Sequence, residues 1–114
     1  MSELYSTREW LTYAQVREAL GISQGKLSRL LEDRALLAVR VDGEPRIPSD
    51  FVKQGEALPG LRGTLTVLAD MGIEGDEAMA WMLTDDSTLG EAPVDALRRG
   101  HKTSVRKSAQ LLAL

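Results

Sequence analysis

Three polar side chains stand close together near the start of one short segment: Gln24, Ser28 and Arg29. If that segment is a helix with a buried apolar side, Ser28 and Arg29 point away from the core and Gln24 lies on the flank near the N-terminus. A glutamine can pair bidentately with adenine in the major groove of DNA, an arginine with guanine, and a serine with either base. Gly25 would allow a close approach to a nucleic-acid backbone. These residue types at this spacing therefore point to the reading of base edges.

Further basic residues suit contacts with phosphate or with the minor groove, which position a protein on DNA without specifying a sequence. They are Lys26 on the same segment, Arg17 before it, and Arg40 and Arg46 after it. The complete set of predicted DNA-binding residues is Arg17, Ser23, Gln24, Gly25, Lys26, Ser28, Arg29, Arg40 and Arg46. The competing interpretation is that each polar side chain only solvates the surface of its helix or hairpin.

A second basic group near the end of the chain contains no acidic residue: Arg98, Arg99, Lys102, Arg106 and Lys107. The whole chain has a net charge of −3, but residues 1–53 are neutral, residues 54–97 carry −8 and residues 98–114 carry +5. Two interpretations stay open. The group is a second phosphate-contacting patch, or its cations pair with the acidic middle segment, which is the favoured interpretation.

Local signals predict two short helices that would position the predicted base-reading residues. Thr12 is a candidate N-cap, Gln15 completes a capping box with it, and Gly21 is a candidate left-handed stop. Ser23 then predicts the N-cap of a second helix. Apolar residues on that second helix share one side, which we expect to face the core. They are Leu27, Leu30 and Leu31.

The pair Asp42–Gly43 between two alternating segments predicts a β-hairpin with a two-residue turn. The residues expected to face the core are Val39, Val41 and Ile47. On that arrangement Arg40 and Arg46 face outward near the tip of the hairpin. Pro45 and Pro48 would confine the returning strand to an edge of the sheet, because proline cannot donate a backbone hydrogen bond.

The remainder of the chain predicts a linker followed by helices. Glycine and proline mark residues 54–63 as the linker. Thr64, Asp76 and Pro93 are expected to stand at the starts of three helices, and a fourth is expected from about Thr103 to Leu112. The predicted fold is mainly α. It comprises a flexible tail at 1–9, a winged helix-turn-helix at 10–53, the linker at 54–63, and a helical C-terminal domain at 64–114 packed on or beside the first.

The order of helix, glycine turn, polar-faced helix and hairpin is that of a winged helix-turn-helix. The residues Tyr13–Ser23, Leu27, Leu30, Leu31 and Ala38–Arg40 resemble the helix-turn-helix of the MerR and excisionase type. The segments Pro59–Gly60, Gly63–Leu68, Pro93–Gly100 and Val105–Gln110 resemble the C-terminal region of a small actinobacterial winged-helix DNA-binding family. The resemblance covers about Trp10 to Leu114. It implies DNA binding of a regulatory or nucleoid-associated kind.

The composition argues against an enzyme and predicts neither a metal site nor an organic cofactor. The chain has no cysteine, and its one histidine, His101, stands beside cations with no acidic partner. No apolar run approaches the roughly 18 residues that a membrane span needs. We therefore expect a cytoplasmic, nucleoid-associated protein whose partner is double-stranded DNA. Phosphorylation within Ser2–Thr7, which would repel DNA, is an additional hypothesis.

The alternative function is that of a protein-binding adaptor or antitoxin-like module. Its C-terminal helices would then hold a protein partner or a second copy of the chain, which requires an exposed apolar patch. Met71, Met79, Trp81 and Met82 are candidates for such a patch, although we expect them in the core. An effector sensor of the MerR kind is a weaker third alternative, because the chain predicts no long dimerisation helix.

Overall fold

The computed structural model describes residues 7–114, and its first helix, α1, spans Tyr13–Leu20. The predicted capping box is present. The Thr12 Oγ1 accepts a hydrogen bond from the Gln15 backbone at 3.1 Å, and the Gln15 Oε1 accepts one from the Thr12 backbone at 2.8 Å. The helix ends at Gly21, whose φ of 66° is left-handed as predicted.

The second helix, α2, spans Gln24–Glu32 and begins at the predicted N-cap, where the Ser23 Oγ accepts a hydrogen bond from the Lys26 backbone. Leu27 is buried, and Leu30 and Leu31 are half-buried against the same core. The predicted apolar side of α2 is therefore confirmed. Because these leucines pack against the core, the opposite side of α2 lies at the surface of the protein.

A three-stranded antiparallel sheet follows the helices. Its strands are β1 (Trp10–Leu11), β2 (Val39–Val41) and β3 (Glu44–Pro48), in the order β1-β3-β2. The β2–β3 turn has φ values of 54° at Asp42 and 85° at Gly43, as the predicted two-residue turn requires. The side chains predicted to face the core are buried, and they are Val39, Val41 and Ile47.

The prediction that prolines keep the returning strand at an edge is wrong, since β3 is the central strand. Strand β1 pairs only with Ile47 and Pro48, the last two residues of β3. Pro45 pairs with Arg40 of β2 and has no β1 residue opposite it. The short reach of β1 thus explains how β3 accommodates Pro45 while occupying the centre of the sheet.

The segment predicted as a linker forms regular structure over much of its length. A 3₁₀ turn at Ser49–Phe51 leads into a second small hairpin of β4 (Val52–Lys53) and β5 (Glu56–Ala57). The third helix, α3, already begins at Leu61. The boundaries predicted for the linker at 54–63 and for the helical part from 64 therefore differ from those in the structure.

The C-terminal half contains α3 (Leu61–Asp70), α4 (Gly75–Leu83), α5 (Pro93–Arg98) and α6 (Lys102–Gln110), followed by a 3₁₀ turn at Leu111–Ala113. Pro93 occupies the first turn of α5, as predicted. Thr64 is not an N-cap as predicted. It is buried inside α3, where its Oγ1 donates to the Gly60 carbonyl at 2.9 Å.

Both halves share one hydrophobic core, so the C-terminal helices pack directly on the N-terminal half. Helix α3 packs against α6, α4 contacts β2, and α5 contacts the 3₁₀ turn at Ser49–Phe51. Core residues from the two halves include Val16, Leu27, Ile47, Phe51, Leu61, Leu68, Met79, Met82, Val94 and Val105. Met71 and Trp81 are half-buried against this core. None of the helices within residues 7–114 has the length and apolar character that a bilayer crossing requires.

Arg8, which the sequence places in a tail, joins the two halves. Its guanidinium lies 3.1 Å from the Asp95 carboxylate of α5 and 3.3 Å from that of Asp50 in the 3₁₀ turn. The hydrogen bond with Asp95 is the main cause that raises the pKa of Arg8 above its ordinary value. Residues 1–6, which hold most of the predicted tail and of the hypothetical phosphorylation segment, lie outside the described residues.

Candidate nucleic-acid interface

The outer surface of α2 carries the predicted base-reading residues side by side. Gln24, Lys26, Ser28 and Arg29 are exposed, and their side chains form no hydrogen bond or ion pair within residues 7–114. All their donors and acceptors are therefore available to an external partner. The structure brings these residues together, as the sequence predicts.

Gly25 lies in the middle of this surface, and no neighbour within residues 7–114 requires it to be glycine. A Cβ built at this position would meet only the Ser23 Oγ, at 3.9 Å, which is ordinary contact. A glycine inside a helix is about 1 kcal/mol less favourable than alanine. Gly25 therefore weakens α2 without relieving any close contact within the described structure, and it leaves a shallow place on the exposed surface.

Two predicted contact residues have structural surroundings of their own. The Ser23 Oγ is engaged in the N-cap hydrogen bond at the start of α2, although the residue is exposed. Arg17 is half-buried, and its Nε is enclosed without a hydrogen-bond partner in the part of the chain that the structure describes. The phosphate contact assigned to Arg17 from the sequence stays a prediction.

The two hairpin arginines differ in exposure. Arg40 is exposed, and its Nη1 donates to the Gly43 carbonyl at 2.6 Å. Arg46 is half-buried, and its Nη1 donates to the Pro45 carbonyl at 3.0 Å. A guanidinium carries five N–H donors, so one internal bond leaves others for an external acceptor. The arginines thus brace the hairpin and present positive charge along it.

Charge is unevenly distributed along α2. Its cations, Lys26 and Arg29, precede two exposed acids, Glu32 and Asp33, at the C-terminal end. Asp33 forms an ion pair with Arg62 of α3, with 3.1 Å between Oδ2 and Nη2. Residues 24–29 of α2 are therefore better suited to a polyanion than its acidic C-terminal end. In helix-turn-helix proteins the N-terminal residues of the recognition helix reach base edges.

The second predicted basic group is divided by the structure. The Arg98 Nη1 donates to the backbone carbonyls of Asp50 and Val52, at 2.9 and 2.8 Å, so Arg98 joins α5 to the N-terminal half. Arg99 forms a 2.8 Å ion pair with Glu91, and this hydrogen bond raises the pKa of Arg99. Only Arg99 shows the expected pairing with the acidic middle segment.

The other three members of that group, Lys102, Arg106 and Lys107, are exposed and form no ion pair within residues 7–114. Arg62 is a further cation near α2 that sequence reasoning missed. It falls within the segment interpreted as a linker, and no local pattern marks it. His101 is exposed, and the described residues contain no group of three or more acidic, histidine or cysteine side chains suited to a metal ion.

Comparison with known proteins covers both halves of the chain. Residues 3–52 match the family model described as "DNA-binding protein Rv2175c, wHTH domain", and residues 58–113 match the "Rv2175c C-terminal domain of unknown function". A curated relative, the DNA-binding protein Rv2175c of Mycobacterium tuberculosis (strain ATCC 25618 / H37Rv), is 33% identical over 112 residues. That match covers 87% of this chain and 77% of the relative. The chain belongs to the Rv2175c family.

The NMR structure of Rv2175c agrees with this assignment. It matches the present structure with a TM-score of 0.87 at 30% identity, over 100% of this chain and 87% of the other. The resemblance to a small actinobacterial winged-helix family is thereby confirmed. The two Rv2175c family segments meet between residues 52 and 58, at the β4–β5 hairpin. The surface of α2 lies in the first segment, and the divided basic group lies in the second.

Proposed function

We propose that this protein binds double-stranded DNA, with α2 in the major groove and the β2–β3 hairpin against the adjacent backbone. The observation that carries the proposal is the outer surface of α2. There a glutamine, a serine and two cations are exposed, and their side chains make no hydrogen bond or ion pair within residues 7–114. The leucines on the opposite side of α2 pack against the core. The winged helix-turn-helix family model and the relative named a DNA-binding protein support the same function.

The roles of the side chains follow from their chemistry. Gln24, Ser28 and Arg29 would contact base edges and determine the sequence preference. Basic residues would contact phosphates and determine the position of the protein on the duplex, together with the exposed backbone near Ser23 and Gly25. They are Arg17, Lys26, Arg40 and Arg46.

The test is a titration of labelled duplex DNA at two salt concentrations, followed by fluorescence anisotropy. We expect weaker binding at the higher concentration, because phosphate contacts release counterions. The double variant Lys26→Ala/Arg29→Ala should bind at least about tenfold more weakly. The control Arg99→Ala/Lys107→Ala removes the same charge from α5–α6 and should retain most of the affinity. Binding that is independent of salt, or equal in the two double variants, would contradict the proposal.

We further propose that the protein acts on DNA as a transcriptional regulator or as a nucleoid-associated protein in the cytoplasm. Base contacts from Gln24 and Arg29 favour the regulator. Selection of bound sequences from a random duplex library separates the two roles. Enrichment of one motif, lost in Gln24→Ala, supports a regulator, whereas tight binding with no enriched motif supports the nucleoid role.

One observation favours a second function, that of an adaptor acting through the C-terminal helices. Leu111, Leu112 and Leu114 are exposed by 50%, 45% and 98% at the end of the chain. If the protein acts as such an adaptor, these three leucines would bury their exposed surface against a second copy of the protein. Sedimentation equilibrium tests it: the wild type should be a dimer, and Leu111→Ser/Leu112→Ser should be a monomer. A monomeric wild type would exclude the homodimer.

A further inference from the structure

Two glycines lie at the contact between α3 and α6. A Cβ built on Gly60 would lie 2.8 Å from the Lys102 Cβ, and one built on Gly63 would lie 2.6 Å from the Arg106 Nη2. These distances are too short for real Cβ contacts, so α6 lies directly against the start of α3. The start of the Lys102 side chain and the guanidinium of Arg106 therefore lie at this contact, while both residues remain exposed.

Gly60 also belongs to a groove beside the candidate DNA-binding helix. Lys26 and Arg29 of α2 line this groove together with Arg62 of α3, with Asp33, to which Arg62 is paired, and with the segment Leu58–Gly60. Gly60 borders the groove and approaches Lys102, and Gly63, next to Arg62, approaches Arg106. The cations of α2 and α3 thus adjoin those of α6 on one surface. We call this surface the basic strip. Its members are Lys26, Arg29, Arg62, Lys102 and Arg106.

The charge of the basic strip is largely unpaired. Arg62 pairs with Asp33, and the side chains of Lys26, Arg29, Lys102 and Arg106 form no ion pair within residues 7–114. In addition, α3 and α6 both begin here without a side-chain N-cap, and the positive ends of their dipoles add to the local potential. Such a surface fits a partner with closely spaced negative charges.

We infer that the C-terminal half extends the DNA footprint, with Lys102 and Arg106 contacting the phosphate backbone that flanks the α2 site. Arg29 connects the two regions, since it lies on the exposed surface of α2 and also lines the groove. Duplex DNA carries one negative charge per about 1.7 Å of its axis, which matches a row of cations better than an isolated anion does. The inference rests on the proposed function and assigns a role to the C-terminal domain.

The experiment compares two charge-matched double variants of the full chain. Lys102→Gln/Arg106→Gln removes two charges from the basic strip, and Arg99→Gln/Lys107→Gln removes two charges outside it. Each is titrated with a duplex of about 20 base pairs over a range of salt concentrations. The molecule is 39 Å long, which corresponds to about 11 base pairs at 3.4 Å each, so this duplex includes the flanks.

We expect the plot of log affinity against log salt to lose about 0.9 of slope for each phosphate contact removed. The strip variant should lose about twice that slope and bind at least about tenfold more weakly at low salt. The control should keep the wild-type slope. Thermal unfolding of both variants, followed by circular dichroism, should match the wild type, so that a change in affinity reports on contact with DNA.

Equal losses of affinity and of salt-dependence slope in the two double variants would overturn the inference, because they would show a general effect of net charge. Unchanged binding of Lys102→Gln/Arg106→Gln would also overturn it. The proposed function fails by a different result, in which the wild type shows no salt-dependent binding or Lys26→Ala/Arg29→Ala binds as well as the wild type. The two failures are therefore distinguishable.

Discussion

The cations of α2 and those of α5 are similar in composition and differ in what surrounds them. The Arg29 side chain is exposed and makes no hydrogen bond within the described residues, whereas the Arg98 side chain is half-buried and donates to two backbone carbonyls. The first is available to a partner, and the second holds two parts of the protein together. The difference shows that a basic residue serves the fold or a partner according to how its donors are engaged, which its place in the sequence does not reveal.

Glycines show the same contrast between an internal and an external role. Gly60 is required by its neighbours, because a Cβ there would lie 2.8 Å from the Lys102 Cβ and 2.9 Å from the Leu97 Cδ2. The atoms nearest to Gly63 belong to the flexible guanidinium of Arg106, which can move aside. Gly25 on α2 has no such neighbour. The glycine at the start of α3 is therefore explained by contacts within the protein, whereas no close contact within residues 7–114 explains Gly25.

The largest expected effect tests the close contact between the start of α3 and α6. Gly60→Ala should lower the free energy of unfolding by about 3 kcal/mol, since a Cβ would clash with Lys102 and Leu97 and φ is +87°. Gly72→Ala is the control, with a φ of +79° and no atom within 4 Å, and it should lower that free energy by about 1 kcal/mol. Chemical denaturation measures both. Equal losses of unfolding free energy in the two variants would show that the contact between α3 and α6 tolerates a side chain at position 60.

The second prediction separates the roles of the two arginines. Arg98→Ala should lower the free energy of unfolding by about 2 kcal/mol, because two charge-assisted hydrogen bonds are lost, and should leave DNA affinity unchanged below the unfolding transition. Arg29→Ala should leave stability within about 0.5 kcal/mol and weaken DNA binding about tenfold. A loss of DNA affinity in Arg98→Ala without unfolding would contradict the purely structural role given to Arg98.

Gly25→Ala should act in opposite directions on stability and binding. The free energy of unfolding should rise by about 0.5 to 1 kcal/mol, since alanine favours the helix and meets no close neighbour. Affinity for duplex DNA should fall several-fold, because the added methyl group stands between α2 and its partner. Denaturation and anisotropy on the same sample measure the two quantities. A stabilised variant with full affinity would show that this side of α2 does not approach DNA.

The smallest effect concerns the acidic end of α2. Glu32→Gln should strengthen DNA binding by about two- to fivefold at low salt, since it removes a negative charge from the exposed end of the helix. Glu77→Gln on α4 makes the same change in charge on another exposed helix and should have a smaller effect. If both variants gain equally, the end of α2 is no closer to DNA than α4 is.

Much of the N-terminal half was predictable from short windows of sequence, because its signals act over a few residues. The capping box of Thr12 and Gln15, the left-handed Gly21 and the turn at Asp42–Gly43 each depend on a local dihedral angle or hydrogen bond. The structure confirms all of them. The polar surface of α2 followed from the same local periodicity, although its contact with DNA stays a prediction.

The errors concern residues whose partners lie far away in the chain. Thr64 has the chemistry of an N-cap, but α3 begins before it and Thr64 is buried within the helix. Pro48 suggested an edge strand, but Trp10 from the other side of the helix-turn-helix pairs with it. Arg98 resembled its basic neighbours until the carbonyls of Asp50 and Val52 came within reach of it.

The amino-acid sequence by itself determined the two capped helices, the hairpin and the polar side of α2, because caps, turns and periodicity are properties of neighbouring residues. Only the tertiary structure decided which cations are engaged internally and which form the basic strip. That decision depends on distances between α2, α3 and α6, which pack together around one core, and a linear pattern of charges does not contain those distances.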